Sequence, residues 1–164
     1  MDAVSLEDLL TFRVSEPRRR FVAHAHAQLG KPYLWGGKGP DAYDCSGLVT
    51  DSLRAAGGPD LRPMHNAQKL YLEASPVADG VLAPGDLVFY GLSPQAVSHV
   101  VILCAGGKVL SASRGDRTVT TLAIAQQRGA KVVCHPTMLY RRDVVGTRRN
   151  VWLAALERQE TNGG

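Results

Sequence analysis

Cysteine is scarce in this sequence, with three among 164 residues. That count, with no Cys-x-x-Cys pair, supplies neither a disulfide framework nor a structural zinc site. No apolar run approaches the ~18 residues of a membrane span. Repeats and low-complexity tracts are absent. The opening MDAVSLEDLLTF carries acids where a secretory leader has a basic start and a long apolar core. The expected location is therefore the cytoplasm, or a particle or release route that bypasses ordinary export. Neither sign of charge dominates: 19 Lys and Arg stand against 15 Asp and Glu, a net charge of +4. With 45% hydrophobic and 21% charged residues, the composition is that of a packed domain and excludes a disordered chain.

Local signals divide the chain in two. Ser5-Leu6-Glu7-Asp8 has the form of a capping box that opens a short helix through Phe12. Ser15-Glu16-Pro17 is a second helix start, followed by Phe21, Ala25 and Leu29 at intervals of four and a stop at Gly30. Residues 30–44 (GKPYLWGGKGPDAYD) are rich in Gly and Pro and predict an ordered loop. Asp44 caps a helix to about Ala56, and Asn66 caps another to Ala74. From residue 81 the period changes. Leu87–Tyr90, His99–Cys104 and Lys108–Ser113 predict strands, the last two joined at Gly106-Gly107. Thr118–Leu122 and Lys131–Cys134 are further strand candidates, and Val151–Arg158 predicts a closing helix. Helices followed by antiparallel strands predict an α+β domain.

Cys45 directly follows a helix cap. Orphan N–H groups and the positive end of the helix dipole point at its sulfur, which favours thiolate and predicts a lowered thiol pKa. The same groups could receive an oxyanion. A small buried hydrophobe is the competing reading. A thiol nucleophile needs a base, and His99, at the start of an apolar strand, is the candidate held most rigidly. Its alternative is a core histidine with satisfied nitrogens. His24 and His26, two apart on a helix, point to different sides, and His65 and His135 sit near loops.

Three segments, LGKPYLWGGKGPDAYDCSGLV, LAPGDLVFYG and SHVVIL, resemble the NlpC/P60 family of papain-like cysteine peptidases. The likeness implies an α+β NlpC/P60 fold, with N-terminal helices packed on a central antiparallel sheet. It divides the chain into an extension (1–14), a catalytic domain (15–149) and a C-terminal helix and tail (150–164). It implies Cys45 as nucleophile, His99 as general base and Tyr33 near the nucleophile. Asp44 and Ser46 match positions that help bind the free amino end of a stem peptide. Trp35, Gly36 and Gly37 would shape the cleft wall, and Gln68 stands where members carry a glutamine. The implied substrate is the γ-D-glutamyl–diamino acid bond of bacterial peptidoglycan, with lysine and diaminopimelate both open as the diamino acid.

One position departs from the pattern. The family places a polar residue, most often His, twelve positions after the base, and here it is Ser111. A two-residue hairpin loop would turn Ser111 away from His99; a three-residue loop, Ala105–Gly107, puts Ser111 and Ser113 on its face. The three-residue loop is expected, with Ser111 as orienter, then Ser113, then a carbonyl or water. The departure keeps two alternatives open: a weak or inactive wall-binding or phage tail assembly module, and an amidase or acyltransferase on the same scaffold. Cys104 and Cys134 read as structural. No metal and no cofactor is expected. Peptidoglycan peptides are the expected partner, with a phage tail or lysis partner also open and a monomer expected. Arg18–Arg20, Arg141-Arg142 and Arg148-Arg149 read as solvated surface, and without aromatic interleaving they do not predict nucleic-acid binding.

Overall fold

The computed structural model describes residues 14–64, 66–77 and 80–163. The Ser5–Asp8 capping box and His65 lie outside them. Helix α1 spans Glu16–Ala27, with Ser15 accepting from the Arg18 N–H as its cap. Helix α2 spans Cys45–Ala55 under the Asp44 cap, and α3 spans Ala67–Glu73 under Asn66. Phe21, Val22 and Ala25 of α1 and Leu48 and Leu53 of α2 are fully buried, so the two helices meet along their apolar stripes.

The sheet has six antiparallel strands in the order β1-β6-β2-β3-β4-β5. They are β1 Ser75–Pro76, β2 Leu87–Ser93, β3 Ala96–Leu103, β4 Val109–Ser113, β5 Lys131–His135 and β6 Val144–Arg149. Phe89, Val100, Ile102 and Leu110 join the helices in the main core. On the other face Val88, Tyr90, Val101, Leu103 and Val109 form a second cluster, covered by Met138, Tyr140 and Val144. Burial on both faces explains the near-continuous apolar runs of β2 and β3.

Ala105–Gly107 is a turn with Gly106 and Gly107 at φ of 71° and 77°, and Ile102 pairs with Leu110 and Leu103 with Val109. This is the register of the three-residue loop. The ladder then ends, so Ser113, expected on the face of His99, is not paired with it.

One expectation is corrected and one strand is added. Thr118–Leu122 is not a strand: its β-branched run ends in Thr121, whose hydroxyl caps helix α4 (Leu122–Arg128). Strand β6 has no clean alternation to announce it, because every residue in it is half-buried. A closing helix, α5, spans Val151–Asn162.

The arginine clusters are less solvated than expected. Arg18 is buried and reaches Asp86 at 3.1 Å and Glu157 at 2.8 Å. Arg148 lies 4.2 Å over the Tyr71 ring, and Arg149 pairs with Asp86 at 3.2 Å. No described helix is long and apolar enough to cross a membrane. Among the described residues no cluster of His, Cys, Asp or Glu has the makings of a metal site.

Candidate active site

The loop of residues 30–44 is tied down on both sides. Gly30 and Tyr33 donate backbone bonds to Val132 and Ala130, and Asp44 donates to the Gly37 carbonyl. The Asp44 carboxylate completes the clamp. Its Oδ1 accepts from the Gly47 N–H at 2.7 Å and from the Ser46 hydroxyl at 3.3 Å, and its Oδ2 accepts from the Gly36 N–H at 3.0 Å. One side chain thus caps α2 and fixes the loop that carries Trp35.

Cys45 begins α2 at 8% exposure and His99 lies on β3 at 7%. Both open into one cleft of about 800 Å³, walled by Tyr33, Trp35, Asp44, Asp116 and Arg141. The sulfur takes backbone hydrogen bonds from Ser46, from Cys45 itself and from Val100, the residue after His99. Val100 is free to do so because the β3–β4 ladder has already ended at Ile102. Tyr33 is buried beside the thiol: burial first, then the charges of Cys45 and Asp44, push its phenol far above the usual range.

Electrostatics depart from the expected lowered thiol pKa. Burial, and secondarily the Asp44 carboxylate, push the Cys45 thiol up to about 12, outweighing the three backbone donors. The desolvation of a buried thiolate exceeds what a helix mouth returns. Burial, aided by Arg141 and His135 and opposed by Asp143, holds the His99 imidazole down at about 3. The resting pair is therefore a thiol and a neutral imidazole.

The ring of His99 is held at one nitrogen. Nε2 lies 3.3 Å from the Ser111 hydroxyl and 2.8 Å from the Tyr140 hydroxyl. Ser111 also donates toward the carbonyls of Val100 at 3.2 Å and Ala112 at 3.0 Å. Ser113, the second expected orienter, instead bonds His135 Nε2 at 3.2 Å. Gln68 sits away from the ring, bridging the Val97 N–H at 2.7 Å and the Pro94 carbonyl at 2.9 Å.

Three contributors were missed from sequence. Tyr140 and Arg141 lie in MLYRR, where the arginines drew attention as surface charge. Gly115 lies in the loop after β4, and a Cβ there would fall 2.1 Å from the Tyr33 ring. Small size at residue 115 was the signal available.

Helices on an antiparallel sheet, with a cysteine and a histidine opening into a shared cleft, define an α+β domain with a thiol–imidazole site. The chain belongs to the NlpC/P60 family, whose pattern matches residues 30–137. Over 91 residues it is 37% identical to the probable endopeptidase p60 of Listeria monocytogenes, covering 56% of this chain and 18% of that protein. Over 101 residues it is 34% identical to the probable endopeptidase YafL of Escherichia coli, covering 60% of this chain and 41% of that one. The chain thus spans less than half the length of these relatives.

Solved structures share the fold. The peptidoglycan hydrolase RipB of Mycobacterium tuberculosis superposes with a TM-score of 0.60 at 24% identity, over 83% of this chain and 65% of that one. RipD of the same organism, a non-catalytic NlpC/P60 domain protein adapted to peptidoglycan binding, gives 0.62 at 20% identity, over 84% and 99%.

Proposed function

We propose that this protein is a cysteine peptidase that hydrolyses the γ-D-glutamyl–diamino acid amide bond of peptidoglycan stem peptides. The observation that carries the reading is the shared cleft: Cys45 at the mouth of α2 and His99 on β3 face the same space, on a fold whose relatives include probable endopeptidases.

With both groups neutral at rest, proton transfer accompanies attack. His99 Nδ1 takes the thiol proton as sulfur bonds to the amide carbon, and the carbonyl electrons move to oxygen. Backbone N–H groups at the mouth of α2 receive that oxyanion. The oxyanion collapses and the C–N bond breaks, with the imidazolium proton passing to the leaving amine. Water then attacks the thioester, giving one proton to His99; the C–S bond breaks, the imidazolium proton passes to the leaving sulfur, and the glutamyl carboxylate departs as water's second proton is lost to solvent. The Asp44 carboxylate, at the cleft wall, suits the free amino end of the peptide.

A binding module without hydrolysis is the second reading, and the burial that disfavours both charged forms is what speaks for it. Digestion of L-Ala-γ-D-Glu-lysine and L-Ala-γ-D-Glu-diaminopimelate separates the two. Free diamino acid is expected from at least one peptide, and none from the Cys45→Ala variant. A folded wild-type protein that binds the peptides and releases nothing would overturn the peptidase reading.

A further inference from the structure

We propose that Tyr140, rather than Ser111, is the positioning residue that fixes the tautomer and aim of the His99 ring. The inference rests on the reading of Cys45 and His99 as nucleophile and base.

The distances favour the phenol. Nε2 of His99 is 2.8 Å from the Tyr140 hydroxyl and 3.3 Å from that of Ser111. Ser111 has a second employment: its hydroxyl faces the Val100 and Ala112 carbonyls, bracing β3 and β4 where their ladder has stopped. Tyr140 is also held firmly. Its ring stacks on His135 at 3.6 Å with 6° between planes, and meets Tyr90 edge-on at 5.6 Å. Its hydroxyl therefore arrives at Nε2 on a preset ring.

Proton counting gives the direction. For Nδ1 to accept the thiol proton it must be bare, so the neutral ring carries its hydrogen on Nε2. That N–H needs an acceptor. The Tyr140 oxygen can accept it, and the Ser113 hydroxyl bonds to the same oxygen in the sense that lowers the phenol's pKa. Ser113 in turn meets His135 Nε2 at 3.2 Å. The phenol oxygen has room for two donors, the Nε2–H of His99 and the Ser113 hydroxyl. Burial, and then Arg114, keep His135 below the usual imidazole range. A phenol fixes the tautomer without bringing a negative charge to the ring.

Tyr140 lies beyond residues 30–137, the stretch that matches the family. This chain therefore supplies its orienting group from a different segment than position 111.

The test is Tyr140→Phe, which keeps the ring and its stacking and removes only the hydroxyl. For hydrolysis of L-Ala-γ-D-Glu-diaminopimelate, or of the lysine peptide if that is the one cleaved, kcat is expected to fall at least ~10-fold with KM within ~3-fold, a loss of tautomer control. Ser111→Ala is expected to lower kcat by less than Tyr140→Phe does, since its hydroxyl is the more distant of the two from Nε2. A second readout does not depend on turnover. Nitrogen-15 spectra of labelled histidine in the full chain, with His99 assigned from His99→Gln, should show the Nε2–H tautomer in wild type and a mixed or reversed one in Tyr140→Phe. An unchanged His99 spectrum in Tyr140→Phe, or a larger kcat loss in Ser111→Ala, would overturn the proposal. If wild type cleaves neither peptide, the peptidase reading fails on its own, and the spectra still decide whether Tyr140 sets the ring.

Discussion

The carbonyl oxygen of Gly37 occupies the space that a side chain at residue 47 would need. A Cβ on Gly47 would lie 1.8 Å from that oxygen and 2.9 Å from Asp44 Oδ1. Loop and helix approach this closely because residue 47 has no side chain, and the approach sets Cys45 against the cleft. Gly47→Ala is expected to push the loop off α2 at a cost of about 1–3 kcal/mol, the usual range for overpacking. Thermal melting would show the loss, and a melting temperature equal to wild type would refute the fit.

Asp44 is expected to report on both stability and thiol reactivity. Asparagine keeps one oxygen, but its amide must then face either the Gly47 or the Gly36 N–H, donor against donor. Asp44→Asn should lose about 1–3 kcal/mol by leaving one of them unsatisfied. The carboxylate is also the charge that helps hold the thiol up. Its removal should lower the thiol pKa and speed alkylation of Cys45 by iodoacetamide at pH 8. A slower reaction would reverse the assigned sign.

Asp86 is fully buried and accepts ion pairs from Arg18 at 3.1 Å and Arg149 at 3.2 Å, besides the N–H groups of Ala83 and Asn150. Asp86→Ala would strand the buried Arg18 guanidinium without this partner. The expected cost is about 3–5 kcal/mol, as for breaking a buried pair from one side. Chemical denaturation measures it, and a loss below ~1 kcal/mol would contradict the burial argument.

Acid should weaken the fold through His99. Its folded pKa is held down near 3, whereas the unfolded side chain titrates near ~6.5. Between those values the unfolded state binds a proton that the native state refuses. The stabilisation is whole above ~6.5 and is lost progressively as pH falls, at up to ~1.4 kcal/mol per unit for this site. His24 and His135, also lowered chiefly by burial, act in the same direction. Melting temperature should drop from pH 6.5 to 4.5, and less steeply in His99→Gln. Equal slopes would show that His99 is not the group responsible.

Much of the frame was legible because its signals are local. Ser15, Asp44 and Asn66 each cap the helix their side chains predict, and the Gly106-Gly107 turn has the three-residue form that brings Ser111 to His99. What stayed hidden depends on distant segments. The raised thiol pKa follows from tertiary burial, which a helix-mouth argument does not contain. Tyr140 is 41 residues from His99 and arrives through a short 3-10 turn, so no spacing announces it. Strand β6 failed to register because it is uniformly half-buried and never alternates. Thr121 misled because a β-branched residue serves equally as strand former and helix cap.

The strand order has a consequence for how the chain is made. Strand β2 pairs with β3 on one side and with β6 on the other, and β6 comes more than fifty residues later. On the ribosome, a half-sheet of β2 to β5 presents the apolar edge of Leu87–Tyr90 unpaired until residues 144–149 have emerged. Such an edge invites pairing between nascent chains. The last of these six strands to be synthesised is therefore the one that closes the sticky side, and a pause before it would prolong the exposure from which aggregates start.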